Sequence, residues 1–207
     1  STADNYSAIF ASSHGDFFIG KEGGTDNILV QDSGQSPTPT VSGTNAFDGN
    51  LHHIAYSYNN GNGKLFLDGE LIIDSPFIAG GGHIFIGEEW EADGHNFTGI
   101  MDEVLISSNA KYSENFIPPA SYILDQYSLA HYTFEEGTGN IVYDMSENNN
   151  DAVIDGDISW IMDSMCENSF GPNCVTDPYL FFNTQQIQKG QIVDIPLYLE
   201  TGVILNG

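Results

Sequence analysis

One loop of the sequence places an aromatic ring among polar side chains. The string GEEWEADGH, residues 87–95, surrounds Trp90 with acids and is followed at once by an asparagine. An indole ring can stack on the apolar face of a sugar, while neighbouring carboxylate, imidazole and amide groups hydrogen-bond its hydroxyls. The alternative is that Trp90 only packs over the rim of a sheet. The candidate ligand-binding residues are Trp90, Glu91, Asp93, His95 and Asn96.

The chain has two cysteines, Cys166 and Cys174, separated by the string ENSFGPN. The run Gly-Pro-Asn is typical of a turn, which can bring the two thiols together. Two cysteines are too few for a zinc site without histidines, and no histidine lies near them in the sequence. We expect a disulfide that closes this short loop, as in a secreted protein, with two free thiols as the alternative.

The charge of the chain excludes several classes of partner. Its 207 residues include 29 Asp and Glu against 4 Lys and Arg, for a formal net charge of −25. Nucleic acids and anionic membranes both select clustered cations, which this chain lacks. No apolar run approaches the roughly 18 residues of a membrane-spanning helix. We therefore predict no nucleic-acid partner and no membrane insertion. The acidity fits either simple solvation or a calcium-rich extracellular medium.

Short apolar runs bounded by Gly, Asn and Asp recur along the chain, and helical periodicity is nearly absent. This spacing is typical of an all-β sandwich or jelly roll. The predicted strands are Ser7–Ala11, Asp16–Gly20, Asn27–Gln31, His52–Tyr58, Lys64–Leu67, Glu70–Ile73, His83–Gly87, Gly99–Ser107, Ser128–Phe134, Ala152–Ile154, Ser159–Met162, Tyr179–Phe182 and Ile192–Leu199.

The clearest local unit is the segment 51–75, LHHIAYSYNNGNGKLFLDGELIIDS. Its first part alternates apolar and polar residues with a period of two, which indicates a half-buried strand. The run NNGNG and the pair Asp68-Gly69 supply residues that tolerate positive φ. We predict a meander of three strands in which Asp68 is a turn residue rather than a ligand.

Residues 1–120 resemble the laminin-G-like, concanavalin A-like jelly rolls. The resemblance rests on four motifs in family order, namely LHHIA, LFLDG, GHIFIG and the closing segment FTGIMDEVLISSNAKYSENFI. Leu51 stands where the family usually has Trp. The resemblance implies a concanavalin A-like jelly-roll sandwich that serves as a binding and adhesion module, with carbohydrate as the expected ligand class.

Residues 129–161, LAHYTFEEGTGNIVYDMSENNNDAVIDGDISWI, resemble the opening strand and loop of the same family. Glu147 and Ala152 replace two of the family's glycines. The opening motif therefore follows the closing motif in this chain. Three explanations are open: the segment completes its own sheet, it completes the sheet of a neighbouring copy in a filament, or it begins the next repeat of a tandem array.

An open jelly-roll edge exposes unpaired backbone groups, which the segment could cover. We predict that Ser128–Phe134 pairs antiparallel with the closing strand Gly99–Ser107, with Tyr132 and Phe134 facing inward. This pairing would bring Asp102 near the loop that follows the opening strand.

Calcium is the cofactor that this arrangement suggests. Related jelly rolls often hold one structural calcium where the opening loop meets the closing strand, and calcium takes six to eight oxygen ligands. The alternative is that these side chains only hydrogen-bond neighbouring turns. The metal ligands that the resemblance implies are Asp102, Glu135, Asp144 and Asn150.

Catalysis has little support in the sequence. Retaining glucanases with this jelly roll carry acids on one strand in the pattern E-x-D-x-x-E. Glu91 and Asp93 have the spacing of the first two acids, but Asn96 stands in place of the third. Nothing resembles a nucleophile elbow. We predict no enzymatic activity, with a glycoside hydrolase as a distant alternative.

We divide the chain into the main part of a jelly roll (1–124), an opening-strand segment (125–163), a disulfide linker (164–176) and the start of a further β-sandwich module (177–207). This short C-terminal β segment resembles the first strands of cohesin-like modules. We expect the chain to come from a longer multidomain protein, secreted or on the cell surface. Its expected partner is a glycan or glycoprotein surface, and neighbouring copies of itself are the alternative.

Overall fold

The computed structural model of the chain describes residues 6–14, 17–32, 40–76, 81–88, 95–156, 158–162, 178–182 and 198–205. Within these ranges the regular elements are all strands. In chain order they are β1 (Ser7–His14), β2 (Phe17–Lys21), β3 (Asn27–Asp32), β4 (Thr40–Asn45), β5 (Leu51–Asn59), β6 (Asn62–Leu67), β7 (Glu70–Ser75), β8 (Gly81–Ile86), β9 (Gly99–Ser107), β10 (Ser128–Tyr132), β11 (Ile141–Val142), β12 (Ala152–Val153), β13 (Ile158–Met162), β14 (Pro178–Phe182) and β15 (Tyr198–Leu205).

Two antiparallel sheets pack face to face as a jelly-roll sandwich. The smaller sheet has the order β4-β3-β2-β1-β8, and the larger has the order β13-β14-β9-β15-β5-β6-β7, with β10 also paired to β9. Alternate residues of both sheets enter one buried core. The rings of Phe17 and Tyr56, one from each sheet, have centroids 5.1 Å apart across this core. The predicted all-β jelly-roll class is therefore confirmed.

The predicted meander is present as β5, β6 and β7. Register pairs such as Tyr56 with Leu65, and Leu65 with Ile73, join the three strands. Asp68 has a φ of 52° and Gly69 a φ of 81°, so both occupy the left-handed region that this tight turn requires. The prediction that Asp68 is a turn residue is confirmed.

The opening-strand segment lies beside the closing strand of the same chain. Strand β10 pairs antiparallel with β9, with Ser128 opposite Ser107 and Tyr132 opposite Val104. Tyr132 and Phe134 are 6% and 3% exposed and belong to the core, as predicted. The strand nevertheless ends at Tyr132 rather than at Phe134. The reason is that Phe134 has a φ of 55°, which turns the chain out of the sheet.

The C-terminal part of the described chain contributes two strands to the larger sheet. Strand β14 lies between β13 and the first residues of β9. Strand β15 lies between β9 and β5, with Thr201 opposite both Val104 and Ile54. Part of the segment that we assigned to a further module thus shares a sheet with the jelly roll. The domain boundaries themselves stay predictions.

Several predicted features lie outside the described residues. They include Cys166 and Cys174, so the disulfide stays a prediction, and most of the predicted strand Ile192–Leu199. Among the described residues no helix is long and apolar enough to span a membrane. Two strands, β4 and β11, were not predicted from the sequence.

Candidate functional site

Three aromatic rings meet on the outer face of the smaller sheet, next to the edge where residues 95–96 join β1. The ring of Tyr6 lies 6.2 Å from that of Phe18 and 5.7 Å from that of His95, both in edge-to-face geometry. Tyr6 and His95 are half-buried, whereas Phe18 is only 3% exposed. Edge-to-face contacts of this kind hold rings in fixed orientations. We call Tyr6, Phe18 and His95 the edge aromatic group.

Strand β1 anchors both ends of the loop that carries Trp90. At the start of the loop, the amide of Gly87 donates to the carbonyl of Ile9 at 2.8 Å. At its end, the amide of Ala8 donates to the carbonyl of His95 at 2.7 Å. The two anchor points are consecutive residues of one strand, so Gly87 and His95 both lie beside β1, next to the edge aromatic group.

Further contacts hold the end of this loop in place. The hydroxyl of Ser7 donates to the carbonyl of Asn96 at 3.0 Å, and Phe97 is 1% exposed. Of the predicted ligand-binding residues, the structure places His95 and Asn96 together at this edge. Trp90, Glu91 and Asp93 lie outside the described residues, so their role stays a prediction.

Tyr6 and Phe18 were not predicted as site residues from the sequence. Phe18 packs on the outer side of the smaller sheet with Ala8, Ala11 and Leu29, in a buried cluster separate from the main core. The sequence did contain a signal for this covered outer face: β2 has four consecutive apolar or small residues, and all of them are buried. A strand that is buried on both faces loses its alternation, and this indicates that something covers its outer face.

Asp144 is the centre of a hydrogen-bond network in the loop after β10. Its Oδ1 accepts from the amides of His131 at 2.9 Å and Ser146 at 2.8 Å. Its Oδ2 accepts from the hydroxyl of Ser146 at 2.8 Å and the amide of Asn150 at 3.0 Å. A carboxylate has about four acceptor positions, and here four donors use them. Asp144 therefore does not fit calcium as a ligand in this arrangement, since a cation would have to displace these donors.

The same network sets the acidity of Asp144. Burial favours the neutral acid, but the hydrogen bonds from the Ser146 side chain and from the amides of Ser146, His131 and Asn150 outweigh it. Together they lower the pKa of Asp144 from its ordinary value of 3.8. The carboxylate thus stays charged and holds the loop against β10.

The other predicted calcium ligands lie around the junction of β9 and β10. Asp102 is half-buried on β9, and Glu135 is exposed shortly after the end of β10. The side-chain amide of Asn150 donates to the carbonyl of Leu129 at 2.7 Å. Within the described ranges, no three or more His, Cys, Asp and Glu side chains form a group that could hold a metal ion. Calcium binding stays a prediction.

Residues 108–127, the connector between β9 and β10, cross the outer face of the larger sheet. Their rings pack on that face: Phe116 lies 5.4 Å from Phe66 and stacks on Tyr112 at 3.5 Å. Tyr122 lies 6.3 Å from His53 and 6.0 Å from His131. The connector therefore covers histidines of two strands, β5 and β10, rather than leaving them on an open surface.

His52 is held between two carboxylates at the start of β5. Its Nδ1 lies 2.8 Å from Oδ2 of Asp68, and its Nε2 lies 3.0 Å from Oδ1 of Asp48. Burial lowers the pKa of His52, but the two carboxylates more than offset this and raise it above 6.5. In return, the hydrogen bond to His52 is the main cause that lowers the pKa of Asp48 to about 2. The cluster ties the turn between β6 and β7 to the segment before β5.

The fold defines a class of protein, the antiparallel jelly-roll sandwich. The chain belongs to the concanavalin A-like lectin/glucanases superfamily, whose laminin-G family model matches residues 1–115. The match covers β1 to β9 and ends within the connector. A comparison with curated proteins found no match. Laminin-G-like domains are in general binding modules, and this is the function class of the chain.

Proposed function

We propose that the chain is a non-catalytic, extracellular adhesion module that binds carbohydrate at the edge of its smaller sheet. The observation that carries the proposal is the edge aromatic group, which lies where β1 anchors both ends of the Trp90 loop. Aromatic rings beside amide and imidazole groups are the usual components of a sugar site. Laminin-G-like domains often bind glycans or proteins and typically occur in extracellular proteins, which supports the same assignment.

The absence of catalysis is part of the proposal. Its support is the asparagine at position 96, where the glucanase pattern needs a third acid, together with the binding role that is general in this family. The backbone of Asn96 is also fixed to β1, which would position its side-chain amide to hydrogen-bond a sugar. The sugar would be held by ring stacking and hydrogen bonds without a bond being broken.

Calcium is proposed as a stabilising ion only. The net charge of −25 would be partly neutralised by any bound cation. Asp102 and Glu135 are the side chains through which we expect calcium to act, because the register of β10 on β9 brings the chain after Tyr132 toward Asp102. Asp144 is not included, because its carboxylate already accepts hydrogen bonds from four donors.

A glycan array, with and without calcium, tests the proposal. We expect the wild type to bind a defined set of glycans, and Trp90→Ala and Tyr6→Ala each to weaken that binding about tenfold or more through loss of ring contact. The control is Tyr127→Ala, which removes a 42% exposed tyrosine from the connector and should leave glycan binding unchanged.

Thermal melts of the same variants separate binding from folding. Near-normal melting of Trp90→Ala with lost binding supports a sugar platform. A large drop in its melting temperature would show instead that Trp90 packs on the rim. A wild type that binds no glycan on the array would contradict carbohydrate as the ligand class.

A further inference from the structure

The hairpin of β11 and β12 carries apolar side chains on its outer face, where strands facing solvent usually carry polar ones. Ile141, Tyr143 and Met145 are 40%, 54% and 54% exposed. Val142 is 2% exposed and belongs to the core, so its strand neighbour Ile141 faces outward, and Tyr143 and Met145, which follow the strand, are exposed as well. Val153 is 37% exposed and is the cross-strand partner of Ile141. We call Ile141, Tyr143, Met145 and Val153 the hairpin face.

Acidic side chains accompany this face along the chain. Glu135, Glu147, Asp151 and Asp155 are all exposed on the segment that contains the hairpin. The sequence has no Lys or Arg between Lys111 and Lys189, so no cation of this stretch offsets them. An apolar surface on a segment whose exposed charges are all acidic is complementary to a partner that is both apolar and basic.

We propose that the hairpin face binds an extended segment of a partner protein in which apolar and basic side chains alternate. The apolar side chains of the partner would cover the hairpin face, and its lysines or arginines would lie against the surrounding carboxylates. A second copy of this chain is a poor occupant, because two molecules of net charge −25 repel each other.

The hairpin face is distinct from the proposed glycan site. The hairpin forms its own two-stranded sheet, whereas the edge aromatic group is attached to β1 and β2 of the five-stranded sheet. The module would therefore have one surface for sugar and another for protein. Substitutions in the hairpin face therefore leave the residues of the proposed glycan site unchanged, and the reverse also holds.

Binding of a fluorescent peptide, followed by anisotropy, tests this inference. The probe is a peptide of about ten residues that alternates lysine and valine, and the comparison peptide replaces each valine by serine, which keeps the charge. We expect the lysine–valine peptide to bind about tenfold more tightly, because only it buries apolar area on the hairpin face. Equal affinities for the two peptides would overturn the proposal.

The double variant Ile141→Ser with Tyr143→Ser should remove that tenfold preference. Tyr127→Ser changes an exposed tyrosine of the connector and should retain it. Should the double variant fail to fold, Glu147→Gln with Asp155→Asn provides a second test, since it changes exposed acids only. We expect it to weaken both peptides and to reduce the salt dependence of binding. An unchanged affinity in either folded variant would contradict the proposal.

Sedimentation velocity across a range of concentrations tests whether a second copy of the chain occupies the hairpin face. We expect the wild type to remain monomeric at physiological salt. Self-association that the Ile141→Ser, Tyr143→Ser double variant abolishes would show that a second copy covers the hairpin face, and would overturn the assignment to a basic partner.

Discussion

The amide of Phe116 donates to the carbonyl of Gly69 at 2.9 Å, and the two backbones lie so close that a Cβ on Gly69 would stand 2.0 Å from the carbonyl oxygen of Phe116. This contact fixes the connector to the turn between β6 and β7. Lys64 reinforces it, since its Nζ donates to the carbonyl of Ser113 at 2.8 Å. The irregular connector is thereby held by backbone contacts as well as by its rings.

Gly69→Ala should consequently destabilise the fold by about 3 kcal/mol. The substitution adds left-handed strain of about 1–2 kcal/mol and also forces Phe116 away from the turn. Gly61→Ala is the matched control, because Gly61 has a φ of 82° and nothing within 4 Å of its added Cβ. Urea unfolding of both variants gives the comparison. Equal losses for the two would show that the contact with Phe116 contributes nothing.

Residue alternation predicted the sandwich well and the site poorly. The bounds of β9 agree with the prediction residue for residue, because its apolar run is long and lies between clear breaks. Strand β4, TVSGTN, was missed because it is polar and takes its place only by pairing with β3. Phe18 was not singled out because β2 is buried on both faces and its sequence does not alternate, and Tyr6 because it precedes the first predicted strand.

Asp144 illustrates a different limit of sequence reasoning. Oxygen-rich loops accept hydrogen-bond donors and bind cations with the same side chains, so composition does not distinguish the two. The four donors around the Asp144 carboxylate distinguish hydrogen bonding from cation binding at this position. The same holds for the connector, whose covering of His53 and His131 depends on ring contacts that no spacing rule predicts.

Asp144→Asn should destabilise the protein by about 2–4 kcal/mol, since an amide cannot accept from all four donors. The effect should depend on pH in a defined direction. The pKa of Asp144 is lower in the folded state, so its contribution is present above 3.8 and is lost as the pH falls through the folded-state value. Unfolding measured from about pH 2 to pH 6 should show a smaller change for the variant than for the wild type. Parallel curves would contradict this assignment.

The calcium proposal is tested at Asp102 and Glu135 rather than at Asp144. If Asp102 and Glu135 bind it, the wild type should melt about 5 °C higher in millimolar calcium than in excess chelator, by mass action on the folded state. Asp102→Asn should abolish the difference. Asp144→Asn should lower the melting temperature both in calcium and in chelator, and it should keep the difference between the two. Identical wild-type melts in calcium and chelator would remove calcium from the proposal.

His52 should contribute stability on the acid side of neutrality. Its pKa is raised above 6.5 in the folded state, so the contribution is complete below 6.5 and is lost as the pH rises through the folded-state value. His52→Gln should therefore flatten the decline in the free energy of unfolding between about pH 6 and pH 9. Asp48→Asn removes one of the two carboxylates and should give an intermediate slope. The idea fails if wild type and His52→Gln decline alike.

Glu147 stands where the family pattern has glycine, and its φ of 70° explains the preference. A left-handed conformation costs a residue with a Cβ about 1–2 kcal/mol, while glycine loses about 0.5–1 kcal/mol more conformational entropy on folding. Glu147→Gly should therefore stabilise the protein by about 0.5–1 kcal/mol. Glu147→Gln controls for the lost charge and should change little. Asn149→Gly is a second control, because asparagine tolerates its φ of 60° and has little strain to relieve. Urea midpoints measure all three, and a Glu147→Gly midpoint at or below that of the wild type would show that the loop bears no strain at this position.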